Sequence, residues 1–206
     1  MSFPDGKYAS IQPYCDAYFE RIAEAHRSVD RAAVERACAM LERGFRDGVT
    51  LFTCGNGGSA AIANHLLCDY VKGIQTGTTY RPRVISMSAN LELMLAIGND
   101  ICFEDIFLYQ LRTMGRAGDI LMTISSSGNS ENIVRPVSWA KDNGLRTIAL
   151  TGFSGGRSAG LADVDIHVAA ANYGIVEDVH QSIMHIIAQY LRQSEMAEDA
   201  VTESIF

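Results

Sequence analysis

Basic residues are few in this chain, and they are scattered. Its 206 residues carry 17 Lys and Arg against 24 Asp and Glu, a net charge of −7. A nucleic-acid partner is recognised by a clustered basic footprint, so that class is excluded as the main ligand. An anionic ligand must instead be held by local donors, against the field of the protein itself. No apolar run is long enough to span a bilayer. The start, MSFPDGKY, has neither a basic n-region nor an apolar h-region, so no signal peptide is expected. The five cysteines are odd in number, scattered and without a CxxC pair. They are expected to be reduced, mostly buried thiols of a cytoplasmic protein. No Gly-Lys-Ser/Thr occurs, which excludes a P-loop, and there is neither an internal repeat nor a low-complexity segment.

What is present is an alternation of short apolar strands with helical periodicities. Two amphipathic helices come first, from about Tyr8 to His26 and from Arg31 to Phe45, the second stopping at Asp47-Gly48. Strands are expected at Val49–Cys54, Arg83–Ser88, Asp119–Ile124, Arg146–Leu150 and Asp165–Val168. Between and after them helices are expected at Ser59 onward, Leu91–Ile97, Glu104–Met114, Ser130–Asn143 and Glu177–Leu191, with a loosely ordered acidic tail beyond. This pattern implies one α/β domain over residues 1–206: a doubly wound, five-stranded parallel sheet in the flavodoxin-like order 2-1-3-4-5, with extra N-terminal helices. Its ligand crevice lies at the carboxyl ends of strands one and three.

The loops at those two strand ends are the most ligand-like in the chain. After the first strand come Gly55-Asn56-Gly57-Gly58-Ser59, a turn that feeds a helix start and suits a phosphate. Gly55, Gly57 and Ala60 also match a dinucleotide fingerprint, but Ser86-Met87-Ser88-Ala89-Asn90 offers no carboxylate for a ribose. After the third strand come Ser125-Ser126-Ser127-Gly128-Asn129-Ser130. Its four hydroxyls and successive N–H groups at a helix start can surround a phosphate monoester without any lysine. His65 and Asp69, four apart, share a helix face and have the spacing of an acid/base or metal pair, although a structural His–carboxylate contact fits them equally. Glu177 and His185, eight apart on the last helix, can face one site. His180 is expected to point elsewhere, packed or solvated. His26 and His167 have no partner pattern, and Met87, Met94 and Met184 are expected in the core.

Taken together, GNGGSAAIANHLLCD, IGND-ICFEDIF, ISSSGNS, ALTGFSGG and EDVHQSIMHII resemble the SIS (sugar isomerase) domain, and more narrowly its phosphoheptose isomerase branch. The resemblance runs from about Arg31 to Leu191 with the motifs in the same order. It implies an isomerase that converts sedoheptulose 7-phosphate to a glycero-manno-heptose 7-phosphate, a cytoplasmic homotetramer with sites built across subunits, and, in several members, zinc. Position by position it assigns substrate binding to Asn56, Gly57, Gly58, Ser59, Asn99, Asp100, Ser125, Ser126, Ser127 and Ser130. It assigns catalysis to Asp69 and His185, and a zinc set to His65, Asp69, Glu177 and His185. Three positions depart from the pattern. The family's catalytic glutamate is Asp69, its glutamine on the last helix is Glu177, and its usual Ser-Asp or Thr-Asp is Ala89-Asn90.

Two alternatives remain at this level: a non-catalytic SIS protein that binds a phosphosugar or a protein partner, and an isomerase of another sugar phosphate. Retention of both His65 and His185 argues against the first. Asp69 and Glu177 keep the second open.

Overall fold

The computed structural model describes residues 3–206. Its centre is a five-stranded, fully parallel sheet: β1 (Thr50–Gly55), β2 (Arg83–Ser86), β3 (Ile120–Ser125), β4 (Arg146–Thr151) and β5 (Val164–His167), in the order β2-β1-β3-β4-β5. β1 and β3 are buried at every residue, as strands covered on both faces must be. Successive side chains point to opposite faces, so the strands feed two separate cores. Leu51, Ile120, Met122, Ile124, Ile148 and Leu150 belong to one; Phe52, Cys54 and Leu121 belong to the other.

The first core is covered by α2 (Arg31–Arg46), α3 (Gly58–Cys68) and α8 (Tyr173–Glu195), with α1 (Ile11–Ser28) packed on α8. The second is covered by α4 (Leu91–Asp100), α5 (Leu108–Met114) and α6 (Glu131–Asp142). Asp119 ties the strand starts together. Its carboxylate accepts the N–H of Thr50 at 2.8 Å and that of Arg116 at 2.9 Å. Among the described residues no helix is long and apolar enough to cross a membrane.

Several local expectations change. α3 begins at Gly58 rather than Ser59, with Gly57 at its N-cap, where a φ of 54° turns the chain. After Cys68 the helix widens into a π turn over Asp69–Ile74, which carries Asp69. A short helix, α7 (Gly156–Leu161), fills what reads as loop, and α8 is longer than its periodicity because Asn172 caps it by accepting the Ile175 N–H. The acidic tail is not loose: it forms α9 (Glu198–Glu203). Beyond α9, Arg192 donates to the Ile205 carbonyl and stacks on Phe206. Only Cys38 and Cys54 of the five cysteines are buried, and Cys68 is exposed.

His180 is wholly buried on the inner face of α8. Its Nε2 lies 3.1 Å from the Thr151 carbonyl at the end of β4, and its Nδ1 finds no protein partner. Burial pushes its pKa down from the usual histidine value to about 4. Between about pH 6.5 and 4 the unfolded chain therefore binds more protons than the folded one, so stability falls as pH drops through that window. His180→Gln is expected to flatten the fall. Urea midpoints measured from about pH 7 to 4.5 check this, and equal slopes for the two proteins would refute it.

Candidate active site

The loop after β3 closes on itself before α6 begins. The Gly128 N–H donates to Ser125 Oγ at 3.1 Å, and Ser130 stands at the N-cap of α6. Ser130 makes no side-chain cap bond, and Ser126 Oγ is buried without a protein partner. Two hydroxyls are thus left over at a helix N-terminus, where backbone N–H groups and the helix dipole favour an anion. Ser125, Ser126, Ser127 and Ser130 line a small cavity of about 110 Å³ with Asn56, Ser59, Ile124, Tyr173 and Glu177. Glu177 is the one charged residue of that lining. Burial, and then the neighbouring Asp178, raise its pKa above the ordinary glutamate value.

The glycine turn forms the opposite wall. Gly58 lies so close to Glu177 that a Cβ there would collide with the carboxylate. Ser88 pins the turn from β2, its Oγ donating to the Gly55 carbonyl at 2.9 Å and accepting the Gly55 N–H at 3.1 Å. Asn56 and Asn132 exchange two amide hydrogen bonds, of 2.9 and 2.8 Å, and so join the turn after β1 to the first turn of α6. On the far side of the turn lies a second, larger and more apolar cavity of about 490 Å³ between the turn and α4, which Asn99 helps to line. Asp100 is exposed and accepts the Asn99 amide at 2.7 Å.

Further along α3 and α8 lies a second station. His65 Nε2 is 3.3 Å from Asp69 Oδ1, His185 Nε2 is 3.3 Å from Asp69 Oδ2, and the two rings meet edge to face with centroids 5.0 Å apart. One ligand atom from each of His65, Asp69 and His185 can be chosen so that all three lie within 4.8 Å of one another. Two imidazoles and a carboxylate at this spacing fit a zinc ion and leave a coordination position open.

Glu177 is not in this group. It sits two turns earlier on α8, about 12 Å along the helix axis from His185, at the serine cavity. The four sequence-assigned zinc residues therefore divide three to one. Eight residues put Glu177 and His185 on one face of α8, but two turns apart along it.

Two contributors have no place in the sequence reading. Asn132 follows the serine loop directly, yet only tertiary structure pairs it with Asn56. Gln181 places its side-chain Nε2 2.9 Å from His65 Nδ1 and 3.1 Å from His185 Nε2. A signal for Gln181 existed, since it stands four residues from both Glu177 and His185 and so shares their stripe.

The family model described as the SIS domain matches residues 14–152. A phosphoheptose isomerase of Nitratidesulfovibrio vulgaris is 38% identical over 172 residues, 84% of this chain and 78% of the relative. The chain belongs to the SIS-domain family, in its phosphoheptose isomerase branch. A phosphoheptose isomerase of Escherichia fergusonii is 34% identical over 81% of this chain and 85% of its own. The solved phosphoheptose isomerase of Neisseria gonorrhoeae superposes with a TM-score of 0.82 at 27% identity, covering 89% of this chain and all of that one. That of Francisella tularensis gives 0.79 at the same identity, covering 89% of this chain and 96% of its own. This SIS fold is the doubly wound parallel sheet that the alternation of strands and helices predicts.

If the serine cavity takes a phosphate monoester, inorganic phosphate and sugar phosphates raise the melting temperature, because a ligand of the native state alone stabilises it. Ser127→Ala and Ser130→Ala are expected to weaken that rise. Thermal melts with and without ligand check it, and the absence of any shift in the parent protein would refute an anion cavity here.

Proposed function

We propose that this chain, a single SIS domain, is an aldose–ketose isomerase that interconverts sedoheptulose 7-phosphate and a glycero-manno-heptose 7-phosphate. The observation that carries the reading is the juxtaposition on α3 and α8 of an anion cavity and a His65–Asp69–His185 cluster. The relatives at 38% and 34% identity carry the name of that activity. Ser59 and His65 are six residues apart on α3, about 9 Å along its axis, a separation suited to an extended phosphosugar.

The serines and the α6 N-terminus bind the phosphate and so set the register of the carbon chain, with Asn56 to Ser59 beside the sugar; the Asn99-Asp100 pair lies across the glycine turn, at the larger cavity. Aldose–ketose exchange then needs one group to take the proton from the carbon next to the carbonyl, giving an enediol, and another to move protons between the oxygens. Asp69 and His185 fill these roles, and His65 orients Asp69 through their contact at 3.3 Å. Asp69 is one methylene shorter than the family's glutamate, which sets its carboxylate roughly 1.5 Å back. The close approach of α3 and α8, which brings Asp69 within 3.3 Å of His185, compensates for that. Zinc held by His65, Asp69 and His185 would polarise the sugar's carbonyl and hydroxyl oxygens. Glu177, at the cavity wall, faces the substrate rather than this cluster.

The protein acts as a cytoplasmic homotetramer in this reading. In the single chain the side chains of His65, Asp69 and His185 keep 47%, 29% and 37% of their exposure, open for proton-transfer groups that work best when water is excluded. The exposed Ile186 and Tyr190 follow His185 on α8 and border an apolar groove of about 450 Å³ against α2. Partner copies seated on this face would close the site. Sedimentation of the purified protein at micromolar concentration is expected to give a tetramer, and elemental analysis about one zinc per chain. A monomer refutes the assembly, and a metal-free preparation with full turnover refutes a catalytic ion.

Incubation with sedoheptulose 7-phosphate and other ketose phosphates, with aldose formation followed, tests the activity itself. His185→Ala is expected to abolish turnover. Asp69→Asn should cost about 10²–10⁴-fold in kcat, the usual worth of a positioned acid/base group. Asp69→Glu should retain measurable activity. Full activity of Asp69→Asn together with loss of activity in Glu177→Gln would move the carboxylate role to Glu177. No aldose from any ketose phosphate would reject the isomerase.

A further inference from the structure

An anion in the serine cavity meets two carboxylates. Glu177 stands in the lining itself. The other is Glu131, which follows Ser130 and opens α6. Its charge therefore acts on whatever Ser130 holds from within a Debye length, about 10 Å at 0.1 M salt. Glu131 is ionised at neutral pH, because its hydrogen bond with Arg157, the largest influence on it, holds the carboxyl below the ordinary glutamate value. An acidic residue suits a helix N-terminus that is empty. Beside a bound phosphate the same charge repels.

Arg157 answers that charge. Its Nη2 lies 2.7 Å from Glu131 Oε1. Arg135 is engaged elsewhere: its Nη1 donates to Asp105 at 2.8 Å, and its Nε stays 3.9 Å from Glu131 Oε2. The main chain around Arg157 is fastened to the serine loop. The Arg157 N–H donates to Asn129 Oδ1 at 3.0 Å, and the Ser158 N–H donates to the Gly128 carbonyl at 3.0 Å. Gly156, with φ 61°, lies so close to Ser127 and Gly128 that a Cβ there would collide with their backbone. The first turn of α7 thus rides on the serine loop and delivers a guanidinium to the start of α6, beside a cavity with no cation in its lining. Both side chains of the pair are about half exposed, at 52% and 46%, so the pair itself adds little to stability. Its effect falls on what binds next to it.

We propose that Arg157 is an affinity-determining residue of the phosphate site: it cancels the Glu131 charge beside Ser130 and so admits a dianion to a helix start that carries an acidic residue. Arg157 acts through Glu131 and does not touch the phosphate. The proposal rests on the serine cavity as a phosphate site and needs no turnover for its test.

The measurement is the affinity for inorganic phosphate, by calorimetry at one fixed pH, in low and in high salt. The parent, Arg157→Gln, Glu131→Gln and the double variant are compared. Arg157→Gln removes the charge and leaves the main-chain bond to Asn129, so the loop keeps its anchor. At low salt it is expected to bind about three- to tenfold more weakly than the parent, the worth of one partly screened charge. Glu131→Gln leaves Arg157 uncompensated and should bind more tightly by a similar factor. The double variant has the parent's net charge and should bind within about twofold of it, and Arg157→Lys, which keeps the charge, within about threefold. High salt shrinks every difference.

Glu131→Gln as weak as Arg157→Gln would make the pair a structural clamp, and a double variant as weak as Arg157→Gln would make Arg157 a direct phosphate ligand. Either overturns the proposal, as do differences that high salt leaves unchanged. A parent that binds phosphate, with Arg157→Gln equal to it, strikes only the role of Arg157. A parent that binds none strikes the serine-cavity reading, and this proposal with it.

Discussion

The adjacency of β1 and β3 is the constraint on which the rest depends. The strands pair in parallel from Leu51 opposite Ile120 to Gly55 opposite Ile124. Yet the chain leaves β1 toward the core under α3 and leaves β3 toward the core under α6. Two loops that diverge from neighbouring strand ends cannot fill the space between them, and a crevice opens there. Its walls are held by polar contacts rather than by apolar packing: Ser88 on Gly55, and the reciprocal amides of Asn56 and Asn132. Both pairs fix backbone that carries no large side chain, so the loop geometry survives without burying the ligand's place.

In the proposed role of anion site, the crevice is electrostatically unusual. The protein carries a net negative charge, and the serine cavity contains no lysine or arginine. Attraction of an anion there would fall to oriented dipoles, hydroxyls and the N-terminus of α6, which act at short range and need no counter-charge. Glu177 at the wall works against an anion when ionised. Its burial, and the neighbouring Asp178, favour the neutral form there, which lessens the conflict.

α8 serves both faces of the molecule at once. Val176, Val179, His180, Ile183, Met184 and Ile187 turn inward to the core, and His180 reaches the end of β4. Glu177, Gln181 and His185, at successive intervals of four, form the opposite stripe and address α3 and its glycine turn. One helix therefore spans from the serine cavity to the histidine cluster, and the rigidity of its inner face fixes the distance between them.

Much of this was written in the sequence. Apolar strand runs and helical periodicity determined the parallel sheet and its order, because strands buried on both faces must be continuously apolar and crossovers must be helical. Hydroxyl and glycine composition singled out the two loops that line the crevice, since both directly follow buried strands. The i,i+4 spacing determined that His65 and Asp69 would meet. Tertiary structure alone decided the rest. The helix rise alone sets Glu177 about 12 Å from His185, but angular position carries no information about what the opposing helix presents, so only the docking of α3 against α8 put Gln181 between two rings. The Asn56–Asn132 pair joins residues 76 apart in the chain. The tail's place on Arg192 likewise depends on contacts that no local pattern encodes, because each partner alone reads as an ordinary surface residue.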